Sequence, residues 1–245
     1  MAEMNNGFVL MSIIIFILVA FSYSMSYGSN FQDNENLSIN STELEAPQVL
    51  GNTKYGTVIK SGPYGNPNGT QKIAIIVGVH PLEADSNRAL AASLLGLNKS
   101  LNSSFYIYSV DVTKDRTSYD NGRMNGQLLA YQFVVPDIIQ NHYNLAIDVH
   151  SNRGDDFQKE NFVYVPKDDI KSKSIAHELT IKIPWIVYYT PPLEAGPKSP
   201  SYVTIPLIKS GIPAIIYESY RYESYYITVN HAVDVIKAID ELKLT

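Results

Sequence analysis

Three short segments of this 245-residue chain contain side chains that could bind a metal ion or transfer a proton. His80 and Glu83 stand three residues apart, His150 lies further along the chain, and Glu218 follows an apolar run. Two imidazoles and one carboxylate form the kind of set that holds a catalytic zinc ion and leaves one coordination position open for water. A separate carboxylate can then take a proton from that water. The sequence therefore predicts one zinc ion at His80, Glu83 and His150, with Glu218 as the catalytic base.

Asp148 is the expected partner of one ligand imidazole. It precedes His150 by two residues in an apolar segment with strand character, and residues two apart in a strand point to the same face. A carboxylate in that place can accept a hydrogen bond from a ligand imidazole and orient its ring. An ordinary strand-end Asp–His pair is the structural alternative, and the other two segments favour the metal site over it.

Arginine side chains near these segments are candidates for substrate binding. Arg116, Arg123 and Arg153 are the nearest cations, and a guanidinium group matches a carboxylate or a developing oxyanion. Arg123 ranks first, because its segment, 120–126, is polar and contains glycine, which indicates a flexible loop before a helix.

Two uncharged polar residues complete the predicted substrate site. Asn125 belongs to the same expected loop, where its amide would face a substrate. Tyr202 lies in a Pro- and Ser-rich segment before Glu218, and its phenol is expected to cap the site.

Composition narrows the functional classes. The chain has no cysteine, which excludes a thiolate metal site and a disulfide framework. The formal net charge is -5 and no basic stripe is visible, so we expect no nucleic-acid partner. About 200 residues remain after the N-terminal segment, which is enough for one sizeable domain.

Apolar runs and helical periodicity alternate along this domain. Continuous apolar runs at 72–79 and 145–149 indicate strands that are buried on both faces. Further strands are predicted at 105–112, 162–165, 186–189 and 214–217. Helices are predicted at 84–97, 127–140 with a break at Pro136, 168–182 and 227–242. This order predicts an α/β fold, in which helices flank both faces of a mostly parallel central sheet. The metal ligands would then meet at the carboxyl ends of the strands.

The apolar composition of the N-terminal residues indicates attachment to a membrane. Residues 8–21 are strongly apolar, and we assign residues 1–27 to a signal-anchor or a signal peptide. Residues 28–50 are polar and acidic, as expected for a flexible stalk, and residues 51–245 would form the catalytic domain. No Lys or Arg precedes Lys54, so basic flanking residues do not indicate the orientation.

Sequons support a location outside the membrane. Five matches to the N-glycosylation sequon begin at Asn36, Asn40, Asn68, Asn98 and Asn102. We therefore expect a glycoprotein of the cell membrane, with one transmembrane helix and its domain outside. A secreted protein is the alternative.

The three metal-site segments together resemble a known family. His-Pro-Leu-Glu at 80–83, Asp-Val-His-Ser at 148–151 and the later Glu218 are similar to motifs of the zinc carboxypeptidase superfamily. The short spacing is closest to the succinylglutamate desuccinylase/aspartoacylase branch. The resemblance covers about residues 70–220 and implies zinc binding by the His-x-x-Glu pair and the later His, with Glu218 as the general base.

These observations predict an extracytoplasmic zinc hydrolase that cleaves a peptide or amide bond next to a carboxylate. The expected substrate is a small peptide, with cell-wall peptides among the candidates, or an N-acyl amino acid. One alternative is an N-acyl amino-acid deacylase of the desuccinylase/aspartoacylase type. Another is a non-catalytic surface binding protein that keeps the fold.

Overall fold

The computed structural model describes residues 45–154, 159–191 and 199–244. Within those ranges no helix is both long enough and apolar enough to cross a bilayer. The expected anchor, 1–27, and most of the expected stalk, 28–50, lie outside the described residues. The last three residues of that stalk, 48–50, belong to the first strand of the sheet.

Eight strands form one sheet in the described part of the chain. In chain order they are β1 (Gln48–Thr53), β2 (Gly56–Gly65), β3 (Lys72–Val77), β4 (Ser104–Val112), β5 (Leu145–Asn152), β6 (Phe162–Tyr164), β7 (Val187–Tyr188) and β8 (Ala214–Tyr220). Their spatial order is β1-β2-β4-β3-β5-β8-β6-β7. The central strands β4, β3, β5 and β8 are parallel to one another. Strand β2 pairs antiparallel with β1 and β4, and β6 pairs antiparallel with β8 and parallel with β7.

Six α-helices connect or cover these strands in the described residues. They are α1 (Ala84–Leu97), α2 (Tyr119–Leu129), α3 (Val135–Gln140), α4 (Ile170–Lys182), α5 (Thr204–Lys209) and α6 (Tyr225–Asp240). A π-helical turn, Ala130–Val134, joins α2 to α3 just before Pro136. Proline lacks the backbone N–H that a regular helix needs, which explains why the helix is irregular at this point.

The chain reverses its direction across the sheet at β3. It passes from β3 through α1 to β4 on one side, and then through α2 and α3 to β5 on the other side. Right-handed crossovers in opposite directions place α1 and α2 on opposite faces of the sheet. The α/β fold with a mostly parallel sheet flanked by helices is thereby confirmed. The carboxyl ends of β3 and β5 form a topological switch point, where ligands bind in open α/β sheets.

The core explains why these central strands form. The side chains of Ile73, Ile75, Leu145 and Ile147 are fully buried, and β3 pairs with β5 along this apolar stretch. Removing such side chains from water on both faces of the sheet is the main stabilising contribution to the fold.

Three features of the elements differ from the sequence predictions. The hairpin of β1 and β2 was not predicted, because the sequences of both strands contain glycine and polar residues and neither has a sustained apolar run. Strands β5 and β8 each run three residues further than expected, so His150 and Glu218 lie within strands. The expected loop at 120–126 is wrong, because these residues form most of α2.

Candidate metal centre

Three buried side chains come together at the switch point. His80 Nδ1 lies 3.0 Å from Glu83 Oε1, and His150 Nδ1 lies 3.0 Å from Glu83 Oε2. The two imidazole rings are 4.3 Å apart between centroids. One ligand atom from each residue lies within 4.8 Å of the others, as a shared metal ion requires. The structure therefore brings together the three residues that the sequence predicted as ligands.

Local backbone geometry places the first two ligands. Gly78 follows β3 with φ +83°, and a Cβ there would lie 2.3 Å from the carbonyl oxygen of Val110. Only glycine adopts this conformation readily at so close an approach. The chain then turns, and the Glu83 N–H donates to the His80 carbonyl at 3.1 Å just before α1 begins. This turn directs an imidazole and a carboxylate three residues apart to one point.

The pKa values of the two imidazoles shift in opposite directions. Burial alone would lower the pKa of His150, but Asp148 and Glu83 raise it well above its usual value, so a metal ion has to displace the proton that this ring carries. Burial, followed by the nearby His150, lowers the pKa of His80 to about 4, so its imidazole is neutral at neutral pH, as a metal ligand must be. Burial alone would raise the pKa of Glu83, but His80 and His150 together hold it well below its usual value. Glu83 is therefore an ionised carboxylate in a buried position, and two imidazoles with one carboxylate fit a zinc-type site.

Each imidazole has a different partner at its other nitrogen. His150 Nε2 lies 3.1 Å from Asp148 Oδ1 and 3.4 Å from Ser199 Oγ. Asp148 also accepts a hydrogen bond of 3.4 Å from the Thr204 hydroxyl of α5. His80 Nε2 lies 3.2 Å from the side-chain amide of Gln127. The Nδ1 atoms of both imidazoles are thus the ones that face Glu83 and could share a metal ion. Asp148 lies at the opposite nitrogen of His150, where a residue that orients a ligand is expected.

Glu218 lies beside His150 on the neighbouring strand. The two residues are register partners in the parallel pair of β5 and β8. Its side chain is buried, and Oε2 has no hydrogen-bond partner among the described residues. Burial raises the pKa of Glu218 to about 8, with His150 opposing the rise and Glu83 adding to it. A buried oxygen without a partner indicates a place for water or a reacting group.

Of the three predicted arginines, Arg123 alone contacts the three candidate ligands within the described residues. Its Nη1 donates to Glu83 Oε1 at 3.1 Å, and its guanidinium lies over the Tyr119 ring, 4.8 Å from the centroid. Arg116 instead pairs with Asp111 at 2.8 Å, and both side chains are about half exposed. Arg153 is exposed. The ranking of Arg123 above the other two agrees with this geometry, and its role in binding stays a prediction.

The two uncharged candidates lie in less direct positions. Asn125 is buried, and its side-chain amide donates to the Lys114 carbonyl at 2.9 Å, so this amide fixes a loop rather than facing a substrate. Tyr202 is half buried, and its ring packs edge-on against Tyr131 with centroids 6.3 Å apart. No contact of Tyr202 with the three ligand residues is present in the described structure.

Two glycines in α2 bring that helix to the metal centre. A Cβ on Gly126 would lie 2.0 Å from the Val79 carbonyl oxygen. One on Gly122 would lie 2.8 Å from the Asp115 carbonyl oxygen and 3.1 Å from Pro81 Cγ. Because the glycines are four residues apart, both lie on the helix face that meets the segment around His80. Their role is close packing and not the loop flexibility that the sequence suggested.

A cavity of about 160 Å³ has Glu83 among its lining residues. It lies between the start of α1, the ends of β5 and β8, and α6, and Ser151, Ser219 and Arg221 are among its lining residues. Arg221 is exposed and follows Glu218 by three residues. Neither Arg221 nor Gln127 was predicted from the sequence, although Arg221 could have been found by its spacing from Glu218.

Comparisons with known proteins identify structural neighbours. No protein-family model and no curated protein match the chain. A metallo-carboxypeptidase from Burkholderia cenocepacia matches with a TM-score of 0.53 and 11% identity, over 81% of this chain and 65% of that one. A metallo-carboxypeptidase from Pseudomonas aeruginosa gives 0.50 and 10%, over 76% of this chain and 60% of that one.

The cell shape determinant protein Csd4 from Helicobacter pylori, in a tripeptide-bound structure, is a third neighbour. It matches with a TM-score of 0.50 and 11% identity, over 77% of this chain and 57% of that one. The chain thus spans about three fifths of the length of such structures. At these identities the likeness concerns the fold. The described chain therefore has the α/β fold of these metallo-carboxypeptidase structures, as the resemblance to the zinc carboxypeptidase superfamily predicted, whereas the desuccinylase/aspartoacylase branch stays a prediction.

Proposed function

We propose that this protein is an extracytoplasmic zinc-dependent hydrolase that cleaves a peptide or amide bond adjacent to a carboxylate. One observation supports this proposal above all others. The three buried ligand residues lie next to Glu218, whose buried Oε2 has no partner among the described residues. A metal set and an unpaired acid–base group on adjacent strands are the two parts that hydrolysis by an activated water needs.

The residues around the site have separate roles in this proposal. A zinc ion held by His80, Glu83 and His150 would polarise the scissile carbonyl and activate a water molecule. The Glu218 carboxylate accepts a proton from that water and passes it to the leaving amine. Without a metal ion, burial raises the pKa of Glu218 to about 8, so the protonated acid predominates at pH 7; the positive charge of a bound zinc ion would favour the ionised form that accepts the proton. Asp148 Oδ1 lies 3.1 Å from His150 Nε2, where its charge would pair with the ring and orient it.

Cations on two sides of the site favour a substrate with a carboxylate. Arg123 reaches Glu83 from α2, whereas Arg221 lines the cavity beside α1 and α6. A guanidinium binds a carboxylate through two parallel hydrogen bonds. The tripeptide bound to the Csd4 neighbour favours a peptide over an N-acyl amino acid.

Paired substrates test the proposal. The zinc-loaded protein is offered a short peptide, the same peptide with an amidated C-terminus, and an N-acyl amino acid. We expect hydrolysis of the free peptide and a rate at least about tenfold lower on the amidated one, since a lost carboxylate–Arg pair costs roughly 1.5–3 kcal/mol. Equal rates on the two peptides would remove the carboxylate requirement. Preference for the N-acyl amino acid would establish the deacylase instead.

Replacing Glu218 tests its role as the base. We expect Glu218→Gln to keep the fold and bound zinc but to lower kcat by about 100-fold or more, because an amide cannot accept the proton. Glu178→Gln is the matched control, since Glu178 is exposed on α4. Parent-like turnover by Glu218→Gln would assign the proton transfer to another group. Zinc binding by the parent without any hydrolysis would favour the surface binding protein.

A further inference from the structure

Gln127 lies against His80, and only the nitrogen of its side-chain amide has a partner there. Its side chain is 3% exposed, and its Nε2 lies 3.2 Å from His80 Nε2. The amide oxygen, Oε1, is buried and has no hydrogen-bond partner among the described residues. The other ring nitrogen of His80, Nδ1, lies 3.0 Å from Glu83 Oε1.

This amide orientation suits one tautomer of His80. An imidazole with its proton on Nδ1 donates to Glu83 and accepts at Nε2 from the Gln127 amide N–H. A metal ion bound at Nδ1 requires the lone pair of that atom, so the proton of a neutral imidazole must then be on Nε2. In that tautomer the Nε2–H would face the NH₂ group of Gln127, and two donors would meet in a buried place.

We propose that Gln127 is a positioning residue for the metal site, and that its amide turns over when metal binds so that Oε1 accepts from His80 Nε2–H. The turn exchanges oxygen and nitrogen without changing the volume of the side chain. It also gives the partnerless oxygen a donor. The inference rests on the metal site of the proposed function, but it requires no hydrolysis.

A side-chain amide, like a hydroxyl, can serve both tautomers. A carboxylate only accepts and an ammonium only donates, whereas the amide does either after it turns. His150 differs in this respect, because its Nε2 faces the Asp148 carboxylate, which is an acceptor for Nε2–H alone. The two imidazoles are therefore oriented by different means, and Gln127 supplies the reversible one.

Two substitutions at one position separate this role from simple packing. Gln127→Met keeps a similar length but cannot hydrogen-bond, whereas Gln127→Glu accepts but cannot donate when ionised. Gln132→Met is the matched control, since Gln132 is exposed on the π-helical turn. Zinc affinity is measured by competition with a chelator, and Tm is measured with and without zinc. The tautomer of His80 is assigned in both conditions from its ring ¹⁵N chemical shifts.

We expect Gln127→Met to weaken zinc binding by about 10- to 100-fold, as for loss of an outer partner of a ligand. Gln127→Glu should bind zinc at least as tightly as the parent, while its Tm without zinc falls, so zinc raises its Tm more. Gln132→Met should match the parent. In the parent, the His80 proton should move from Nδ1 to Nε2 when zinc is added.

Several outcomes would overturn the inference. Parent-like affinity of Gln127→Met, or equal losses in both Gln127 variants, would leave only a packing role. A proton on Nε2 before zinc is added would show that no turn is needed. If Gln127→Met does not fold, Gln127→Glu and the tautomer assignment still decide. A parent that binds no zinc defeats both proposals, whereas one that binds zinc without hydrolysis defeats only the proposed function.

Discussion

Glu83 connects the groups of the metal centre. Its Oε1 contacts His80 Nδ1 and Arg123 Nη1, and its Oε2 contacts His150 Nδ1 and the backbone N–H of Ser151. All of these are donors or groups that can carry a proton, so the Glu83 carboxylate offsets the positive charge that they bring to a buried site. A divalent cation bound by Glu83 would compete with Arg123 for the negative charge of that carboxylate, and Arg123 would then be freer to bind an anionic group of the substrate.

Replacing any of the three candidate ligands should strongly weaken metal binding. We expect about one zinc per chain in the purified protein, and zinc binding at least about 100-fold weaker after His80→Ala, Glu83→Ala or His150→Ala. The reason is that loss of an outer partner alone costs about 10- to 100-fold, and a direct ligand contributes more. Metal analysis after dialysis measures this.

His177→Ala is the control for the ligand variants. His177 is exposed on α4 and its ring stacks on Tyr188, with centroids 4.4 Å apart, so its loss should leave the zinc content unchanged. Unchanged zinc in all three ligand variants would mean that the metal binds elsewhere or not at all.

At the scale of the elements, α2 determines the second half of the site. It supplies Arg123 and Gln127, and it approaches His80 because Gly122 and Gly126 leave room for the Val79 carbonyl and Pro81. A helix with side chains at both positions would be displaced from the strand end. The two glycines therefore matter for function because they set the distance between α2 and the segment around His80. The contacts of Arg123 with Glu83 and of Gln127 with His80 both depend on that distance.

Adding one methyl group in α2 tests this packing. In Gly126→Ala the new Cβ would lie 2.0 Å from the Val79 carbonyl oxygen, so the helix has to move. We expect the free energy of unfolding to fall by about 1–3 kcal/mol, as for other overpacked sites, and zinc affinity to fall with it. Chemical denaturation and chelator competition measure the two effects.

Gly96→Ala is the control for the same substitution in a helix. No atom lies within 4 Å of a Cβ at Gly96, near the end of α1. We expect this variant to gain up to about 1 kcal/mol, because alanine favours a helix over glycine. A Gly126→Ala variant as stable as the parent would show that α2 can approach the strand end without a glycine there.

The elements that can be predicted from the sequence are those with a single dominant signal, such as a continuous apolar run. The apolar runs of β3 and β5 predict buried parallel strands, and their polar ends predict where ligands gather, so His80, Glu83 and His150 could be found together. The segment 120–126 has a polar composition and two glycines, which favour a loop locally. Tertiary packing overrides that preference, and no local pattern records it. A single glutamine in a helix likewise carries no signal, so the contact of Gln127 with His80 needed the structure.

At the scale of the whole molecule, the switch in strand order unites distant parts of the chain. Residues near positions 80, 150 and 218 meet because β3, β5 and β8 are adjacent and parallel, with His150 opposite Glu218. Parallel strands end at one edge of the sheet, so the three candidate ligands and the proposed base, Glu218, share that edge. The antiparallel strands β1, β2 and β6 extend the sheet on both sides of this centre.

The edge of the sheet that carries the candidate metal site is expected to lie outside the cell membrane. We expect residues 8–27 to hold the protein in the cell membrane with the catalytic domain outside, because this apolar stretch precedes a polar segment and the sequon cluster. Protease added to intact cells should then remove the domain, while a cytoplasmic marker protein stays whole until the cells are permeabilised. Release into the medium without protease would favour the secreted alternative. Complete protection of the domain in intact cells would place it inside, and peptides outside the cell would no longer be its substrates.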